Sequence, residues 1–317
     1  MADAVSWSLH HLPRQTGARA VVTGANAGIG LETTRGLAAL GASVVMACRS
    51  LDRAQAAADD VRRSLPGADV EVRPLDLADL DSVHAFADTF EGEAPVDLLV
   101  NNAGVMALPE RRETADGFEM QFGTNVLGHF ALTGRLLPRL LAAPEARVVW
   151  LSSIAHRDGR LDFDDLQSRQ AYDPWTAYRQ SKLADLVLAI EMQRRLTAAG
   201  EDAVSLAAHP GIAATELTED MMEASPVRAA LAGPLVKLFA MPAWRGALPS
   251  LVAAASYDAQ PGGYVGPDGF KEMRGDPAPA EIAPHALGPE AGRRLWEACE
   301  RLTGVQMLDE APARAVR

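Results

Sequence analysis

Ala18-Arg-Ala-Val-Val-Thr-Gly-Ala-Asn-Ala-Gly-Ile-Gly30 begins as a short apolar strand, breaks into a glycine turn over Gly24–Gly30 and leads into a helix at Leu31–Leu40. Glycine tolerates positive φ and lets another group come close to the backbone. A helix starting directly behind such a turn aims its unpaired N–H groups at whatever lies over the turn, a ready seat for a pyrophosphate. The order strand, glycine turn, helix carries more than the glycine spacing alone, which ordinary turns also show.

Outward from this unit the same rhythm repeats. Gly41–Cys48 reads as a second strand, Leu51–Leu65 as a helix stopped by Pro66-Gly67, Val70–Leu75 as a third strand and Leu80–Phe90 as a helix. Val96–Val100 is a fourth strand ending at Asn101-Asn-Ala-Gly104. A long helix over Phe118–Leu141, with a break near Gly128, precedes a fifth strand at Arg147–Leu151. After an irregular stretch, Thr176–Leu196 reads as a helix, Ala203–Ala208 as a strand, Gly246–Ser256 as a helix, Gly263–Val265 as a strand and Arg293–Leu302 as a helix. Apolar strands separated by helices require a parallel sheet buried on both faces. Right-handed crossovers then wind it twice. The expectation is an α/β single-domain Rossmann fold, with a mostly parallel sheet of about seven strands and helices on both faces. No linker divides the 317 residues. The boundaries read as an N-terminal arm at 1–16, the domain at 17–275 with a lid region at 215–244, and a C-terminal extension at 276–317 packing on the same domain.

Composition narrows the function. The chain is 48% hydrophobic, too apolar for a disordered segment, and its formal charge of −12 disfavours nucleic acids and anionic membranes. No apolar run reaches about 20 residues, so no stable membrane insertion is expected. No secretory leader is visible, and two isolated cysteines, Cys48 and Cys299, suit a reduced cytoplasmic protein. The seven histidines show no metal-ligand spacing, and no metal is expected.

The end of the second strand bears on the choice of dinucleotide. NAD sites place an acid there for the ribose hydroxyls. Here Cys48-Arg49-Ser50 offers no carboxylate to repel a 2′-phosphate, and Arg49, with Arg53 as helper, can bind one through charge-assisted bonds. NADP(H) is therefore favoured over NAD(H); the plain alternative for Arg49 is a solvated surface side chain. Asp76, beyond the third strand, is placed to touch the adenine or to satisfy its own loop. At the chemical end, Tyr178 and Lys182 are four residues apart on one helix face. An adjacent ammonium favours tyrosinate, which lets the phenol exchange protons with a substrate oxygen. Taken alone the pair is a common structural motif. Ser153, just after the fifth strand, faces the same sheet edge, and Asn125 lies in the preceding helix.

Together these residues resemble the short-chain dehydrogenase/reductase family. Thr23-Gly-x-x-x-Gly-x-Gly30, Asn101-Asn-Ala-Gly104, Ser153, Tyr178-x-x-x-Lys182 and Pro210-Gly211 occur in the family's order, and Asn125 completes its Asn–Ser–Tyr–Lys tetrad. Val45-Met-Ala-Cys-Arg49, Leu151-Ser-Ser-Ile-Ala-His156 and Tyr178-Arg-Gln-Ser-Lys-Leu-Ala184 are most similar to the retinol-dehydrogenase-like and WW-domain-oxidoreductase-like branch. The resemblance implies catalytic roles for Asn125, Ser153, Tyr178 and Lys182. It implies dinucleotide contacts from Gly24, Asn26, Gly28, Ile29, Gly30, Arg49, Asp76 and Leu77. Asn102, Ala103, Gly104, Tyr178, Lys182, Pro210, Gly211 and Thr215 complete that set. Asn101 would stabilise the sheet edge beside the cofactor. The implied activity interconverts an alcohol with a ketone or aldehyde, a small-molecule substrate; relatives of this kind often form homo-oligomers. Asn26-Ala27 brings no basic side chain to the turn, which throws phosphate recognition onto Arg49. Tyr178 follows Ser153 by 25 residues, a separation that suits the named branch and implies an inserted loop carrying Arg157, Asp158, Tyr172 and Trp175. Met221-Met222, Leu235, Phe239-Ala-Met241 and Trp244 suggest an apolar lid over an apolar substrate, or simply lid-to-core packing. A catalytically idle dinucleotide-binding or regulatory protein is the rival reading, and a sugar-nucleotide epimerase is disfavoured by the compact glycine spacing.

Overall fold

The computed structural model describes residues 8–213 and 240–308. The lid positions 215–239, with Thr215, Met221, Met222, Leu235 and Phe239, lie outside the described residues. So do the two ends, 1–7 and 309–317.

β1 (Arg19–Thr23) leads through the glycine turn into α1 (Gly28–Leu40), followed by β2 (Ser43–Cys48), α2 (Leu51–Ser64), β3 (Val70–Pro74), α3 (Leu80–Asp88) and β4 (Leu98–Asn101). The long helix expected over Phe118–Leu141 is three pieces: a short α4 (Met120–Phe122), a π-helical turn (Gly123–Gly128) and α5 (His129–Leu141). A Cβ on Gly128 would lie 2.3 Å from the Leu77 carbonyl oxygen. Close approach of another segment, not the local pattern, thus fixes glycine at the expected break. β5 (Arg147–Leu151) and α6 (Pro174–Ala199) follow. α6 starts two residues before Thr176 because Asp173 caps it, its Oδ1 accepting from the Thr176 N–H at 2.8 Å, with proline at the first turn where no N–H is needed. Gly200, at φ +76°, ends it. β6 (Val204–Ala208), α7 (Ala243–Ala255), β7 (Tyr264–Pro267), β8 (Pro277–Pro279) and α8 (Pro289–Thr303) complete the described chain.

Among the described residues the sheet has eight strands in the order 3-2-1-4-5-6-7-8, all parallel except β8, which runs antiparallel to β7 along the edge. Side chains alternate across it. Along β5, Val148 and Trp150 join the core under α3, α5, α6 and α8, while Val149 and Leu151 join the core under α1, α2 and α7. The extension past residue 276 is built into the first of these cores. Trp296 of α8 is fully buried, meets Phe130 edge-on at 5.1 Å and lies under the Arg195 guanidinium. Cutting such an indole to alanine costs roughly 3–5 kcal/mol. At the other end, the described part of the arm packs on α1: Leu12 is buried, and the Gln15 N–H donates to the Leu40 carbonyl.

Strand order reverses between β1 and β4, where open α/β sheets bind ligands beyond their carboxyl ends. The segments following β1 to β6 all emerge at that edge.

Candidate active site

Two cavities meet at this edge. One, of about 350 Å³, is lined by the turn residues Gly24, Asn26, Gly28, Ile29 and Gly30, by Arg49, Arg53, Asp76 and Leu77, and by Asn102, Ala103 and Gly104. The other, of about 420 Å³, is lined by Ser153, Tyr178, Lys182, Pro210 and Gly211 among others. Ile29, Asn102, Gly104, Val105 and Leu151 line both, so the two form one continuous groove.

The glycine turn is held from below. Gly24 (φ +64°) and Gly28 (φ +52°) sit in the left-handed region. A Cβ on Gly30 would lie 2.3 Å from the Gly24 carbonyl oxygen and 2.5 Å from Asn102 Nδ2, so the turn closes only without a side chain there. α1 begins at Gly28 with no side-chain cap, which leaves its first N–H groups available to a phosphate. Asn102 Nδ2 donates to the Thr23 carbonyl at 2.8 Å, and its Oδ1 is an acceptor with no donor among the described residues. That orphaned oxygen on the wall of both cavities, over an uncapped helix start, fits a bound dinucleotide. Arg49 and Arg53 stand exposed at the adenosine end. Asp76 serves its loop as well as the cavity, its Oδ1 accepting from the Ala78 N–H at 3.0 Å.

At the chemical end, Ser153 caps the 3-10 turn Ile154–Asp158: its Oγ accepts from the Ala155 N–H at 3.2 Å, leaving its own proton to donate. Tyr178 is half-buried, its ring edge-on to Trp175 at 5.9 Å. Lys182 Nζ donates to the Leu151 carbonyl at 2.8 Å and to Asp185 Oδ2 at 2.9 Å. Burial pulls the Lys182 ammonium down, but the facing Asp185 and Tyr178 more than reverse this and hold it above the ordinary lysine range. Ser152 Oγ donates to the Lys182 carbonyl at 2.7 Å, tying the end of β5 to α6.

Asn125 does not line either cavity. It lies fully buried in the π turn, where its Oδ1 accepts from the Val105 N–H at 2.8 Å and its Nδ2 donates to the Val105 carbonyl and to Ser181 Oγ. Ser181 Oγ donates in turn to the Tyr178 carbonyl at 2.8 Å. The Asn125 side chain therefore braces the wall segment after β4 to the tyrosine helix, and its carbonyl accepts from His129 Nδ1 at 2.8 Å. His129 Nε2 faces Thr23 Oγ1 at 2.9 Å, and Thr23 Oγ1 also accepts from the Asn102 and Ala103 N–H groups. Burial drives His129 down to about 3, so it is a neutral link between the glycine strand and the π turn. Asn101 braces the same edge, its Nδ2 donating to Thr133 Oγ1.

His129 and Asp185 were not among the sequence candidates. Each sits one helical turn from a candidate (Asn125, Lys182), the one signal that could have exposed it. Ile154, Ala155 and Arg179, inside the motifs around Ser153 and Tyr178, also line the chemical cavity, as do Val105, Met106, Ile212 and Ala213, which no motif announces. Its walls are apolar apart from Ser152, Asp158, Arg179 and the site residues. Of the lid residues within the described chain, Met241 is buried and its N–H donates to the Ile212 carbonyl at 2.8 Å, while Trp244 is exposed.

A family model for the short chain dehydrogenases matches residues 18–225. The chain is 42% identical to retinol dehydrogenase 13 of Homo sapiens over 296 residues, 92% of this chain and 86% of that protein. It is 43% identical to polyprenol dehydrogenase of Mus musculus over 298 residues, again 92% and 86%. Among solved structures, an uncharacterised protein from Mycobacterium paratuberculosis matches with a TM-score of 0.78 at 42% identity, over 95% of this chain and 98% of that one.

Proposed function

The chain belongs to the short-chain dehydrogenase family, in its retinol-dehydrogenase-like branch, and on that premise we propose that it interconverts an apolar alcohol with its aldehyde or ketone using NADP(H), with Tyr178 as the acid/base. The observation that carries this is the single groove in which Ser153, Tyr178 and Lys182 share walls with the glycine turn's cavity. Arg49 at the end of β2, where Cys48-Arg49-Ser50 carries no acid, supports the phosphorylated dinucleotide.

In the direction of reduction, Tyr178 Oη gives its proton to the carbonyl oxygen while Ser153 Oγ donates a hydrogen bond to the same atom. Both act on negative charge as it develops there. A nicotinamide held beside Tyr178 and Lys182 would supply hydride chemistry at the carbonyl carbon in either direction. Lys182 offers its remaining N–H to the ribose and its charge to the phenol. Asn125, through Ser181 and Val105, holds the tyrosine helix and the cavity wall in register. Val105, Met106, Ile154, Trp175 and Ile212 exclude water and suit an apolar substrate, as do the two relatives, named for apolar alcohols. Cys48 and Cys299, buried and unpaired, suit a reducing compartment, and we place the protein in the cytoplasm. Among the described residues, no helix is long and apolar enough to cross a membrane.

A panel of long-chain aldehydes, ketones and alcohols assayed with both dinucleotides, read as nicotinamide absorbance, tests the proposal. Turnover of apolar members with NADP(H) is expected. Tight NADPH binding with no turnover of any member would favour the idle, regulatory protein instead.

A further inference from the structure

Asp185 is a buried charge that the hydride-transfer chemistry leaves without a task. It follows Lys182 by one turn of α6, and both side chains are enclosed, Lys182 5% and Asp185 2% exposed. Asp185 Oδ2 accepts from Lys182 Nζ at 2.9 Å, while its Oδ1 has no partner among the described residues. A half-satisfied carboxylate in such a place is costly and persists beside an ammonium. Lys182 has three N–H donors. The Leu151 carbonyl takes one and Asp185 a second, which leaves one for a ribose hydroxyl.

Tyr178, Lys182 and Asp185 share one face of α6. Along the axis Lys182 stands about 6 Å and Asp185 about 10 Å from Tyr178. The two charges act on the phenol with opposite sign, the carboxylate, one turn farther along the helix, more weakly than the ammonium. We propose that Asp185 is a positioning residue that fixes the Lys182 ammonium and tempers its pull on Tyr178, and so sets the pH at which the phenol releases its proton. This rests on Tyr178 being the acid/base.

The other titratable groups around the pair leave this field intact. His129 on α5 and His156 in the 3-10 turn are driven down by burial, to about 3 and about 4, and stay neutral. Cys299 on α8 is pushed far up by burial and then by Asp185, and Tyr264 on β7 is pushed far up chiefly by burial, so neither ionises. Asp158 is exposed and Arg179 half-buried at the cavity, where solvent damps their influence. Burial also pushes the Asp185 carboxyl up to about 6, Lys182 offsetting this in part. The restraint on Lys182 is therefore present at neutral pH and is lost as pH falls through about 6.

The test reads the Tyr178 phenol directly, by ultraviolet difference titration of the cofactor-free protein, with Tyr178→Phe in each background subtracting the other tyrosines. Asp185→Asn is expected to lower the midpoint by about one pH unit, from Coulomb's law at an effective dielectric of about 20. Asp185→Glu, which keeps the charge, should stay within a few tenths of a unit of the parent, about the precision of such a titration. The acid limb of kcat/KM for alcohol oxidation should move with the phenol. An unmoved or raised midpoint in Asp185→Asn, or equal shifts in both variants, overturns the proposal. Asp185→Ser serves the same comparison if Asp185→Asn does not fold. A phenol that shifts as expected in a protein that turns over no alcohol would keep the electrostatic coupling and sink the acid/base assignment, so the two failures are distinct.

Discussion

Thr23→Val removes one hydroxyl at the junction of the glycine strand, the cavity wall and the π turn. Valine matches threonine in shape, so packing is kept and the loss falls on hydrogen bonds. Thr23 Oγ1 accepts from the Ala103 N–H at 2.9 Å and from the Asn102 N–H at 2.9 Å, and faces His129 Nε2 at 2.9 Å. His129 Nδ1 faces only the Asn125 carbonyl and must carry the ring proton, so Nε2 is the acceptor and Thr23 the donor. The Asn102 N–H keeps the Val100 carbonyl at 2.9 Å. That leaves a fully buried imidazole nitrogen and a half-buried N–H without partners, at about 2 and about 1 kcal/mol. A loss of about 3 kcal/mol, over an unfolding entropy of roughly 2.1 cal/mol/K per residue, lowers Tm by about 4–5 °C. Thr23→Ser keeps the hydroxyl and loses one methyl, about 1 kcal/mol. Calorimetry should rank the parent above Thr23→Ser and Thr23→Ser above Thr23→Val, with NADPH binding weakened in Thr23→Val. A Thr23→Val protein that melts within 1 °C of the parent, about the precision of the method, or above Thr23→Ser, would refute the bridging role.

Arg49→Ala should weaken NADPH by roughly 10–100-fold, the worth of one charge-assisted contact, while changing NADH little; equal losses in the two dissociation constants would count against phosphate recognition. Stability should fall in mild acid. His129 and His156 stay neutral in the fold down to about 3 and about 4, whereas the unfolded chain takes up their protons below about 6.5. Each therefore removes about 1.4 kcal/mol per pH unit between 6.5 and its folded value, and Asp185, raised to about 6, returns a similar amount below pH 6. For these three groups the net is a loss of about 2 kcal/mol from pH 6.5 to 5, and His209, also held down by burial, adds to it; it is read as a falling urea midpoint, and a flat or rising midpoint would contradict the buried neutral histidines.

The alternation of apolar strands and helices was enough to expect the sheet, because its central strands are buried on both faces and several helices carry their own glycine or proline stops. β5 is found at the expected Arg147–Leu151. β8 was not legible: Pro277-Ala-Pro279 carries two prolines, tolerable only on an edge strand, and its pairing depends on where the returning chain meets β7. The π turn was visible only as a weak point at Gly128, since the approach of Leu77 that requires glycine there comes from another segment. For the site, spacing alone brought out Tyr178 and Lys182, and position at strand ends brought out Arg49, Asn102 and Ser153. That Asn125 spends its amide on Val105 and Ser181, behind the cavity wall, could not be read, because it depends on the π geometry. Asp185 reads in sequence as one more polar residue on a long helix until its burial against Lys182 is seen.

In the proposed reaction one groove brings a phenol, a hydroxyl and a hydride donor to the same carbonyl. Deuterium transfer from 4,4-dideuterated NADPH to the carbonyl carbon of a long-chain aldehyde, measured by mass spectrometry, follows that event itself. The parent should deliver the label to the product alcohol, and Tyr178→Phe should bind NADPH as tightly while losing transfer by at least about 100-fold. Undiminished label transfer by Tyr178→Phe, or none by the parent, would contradict it.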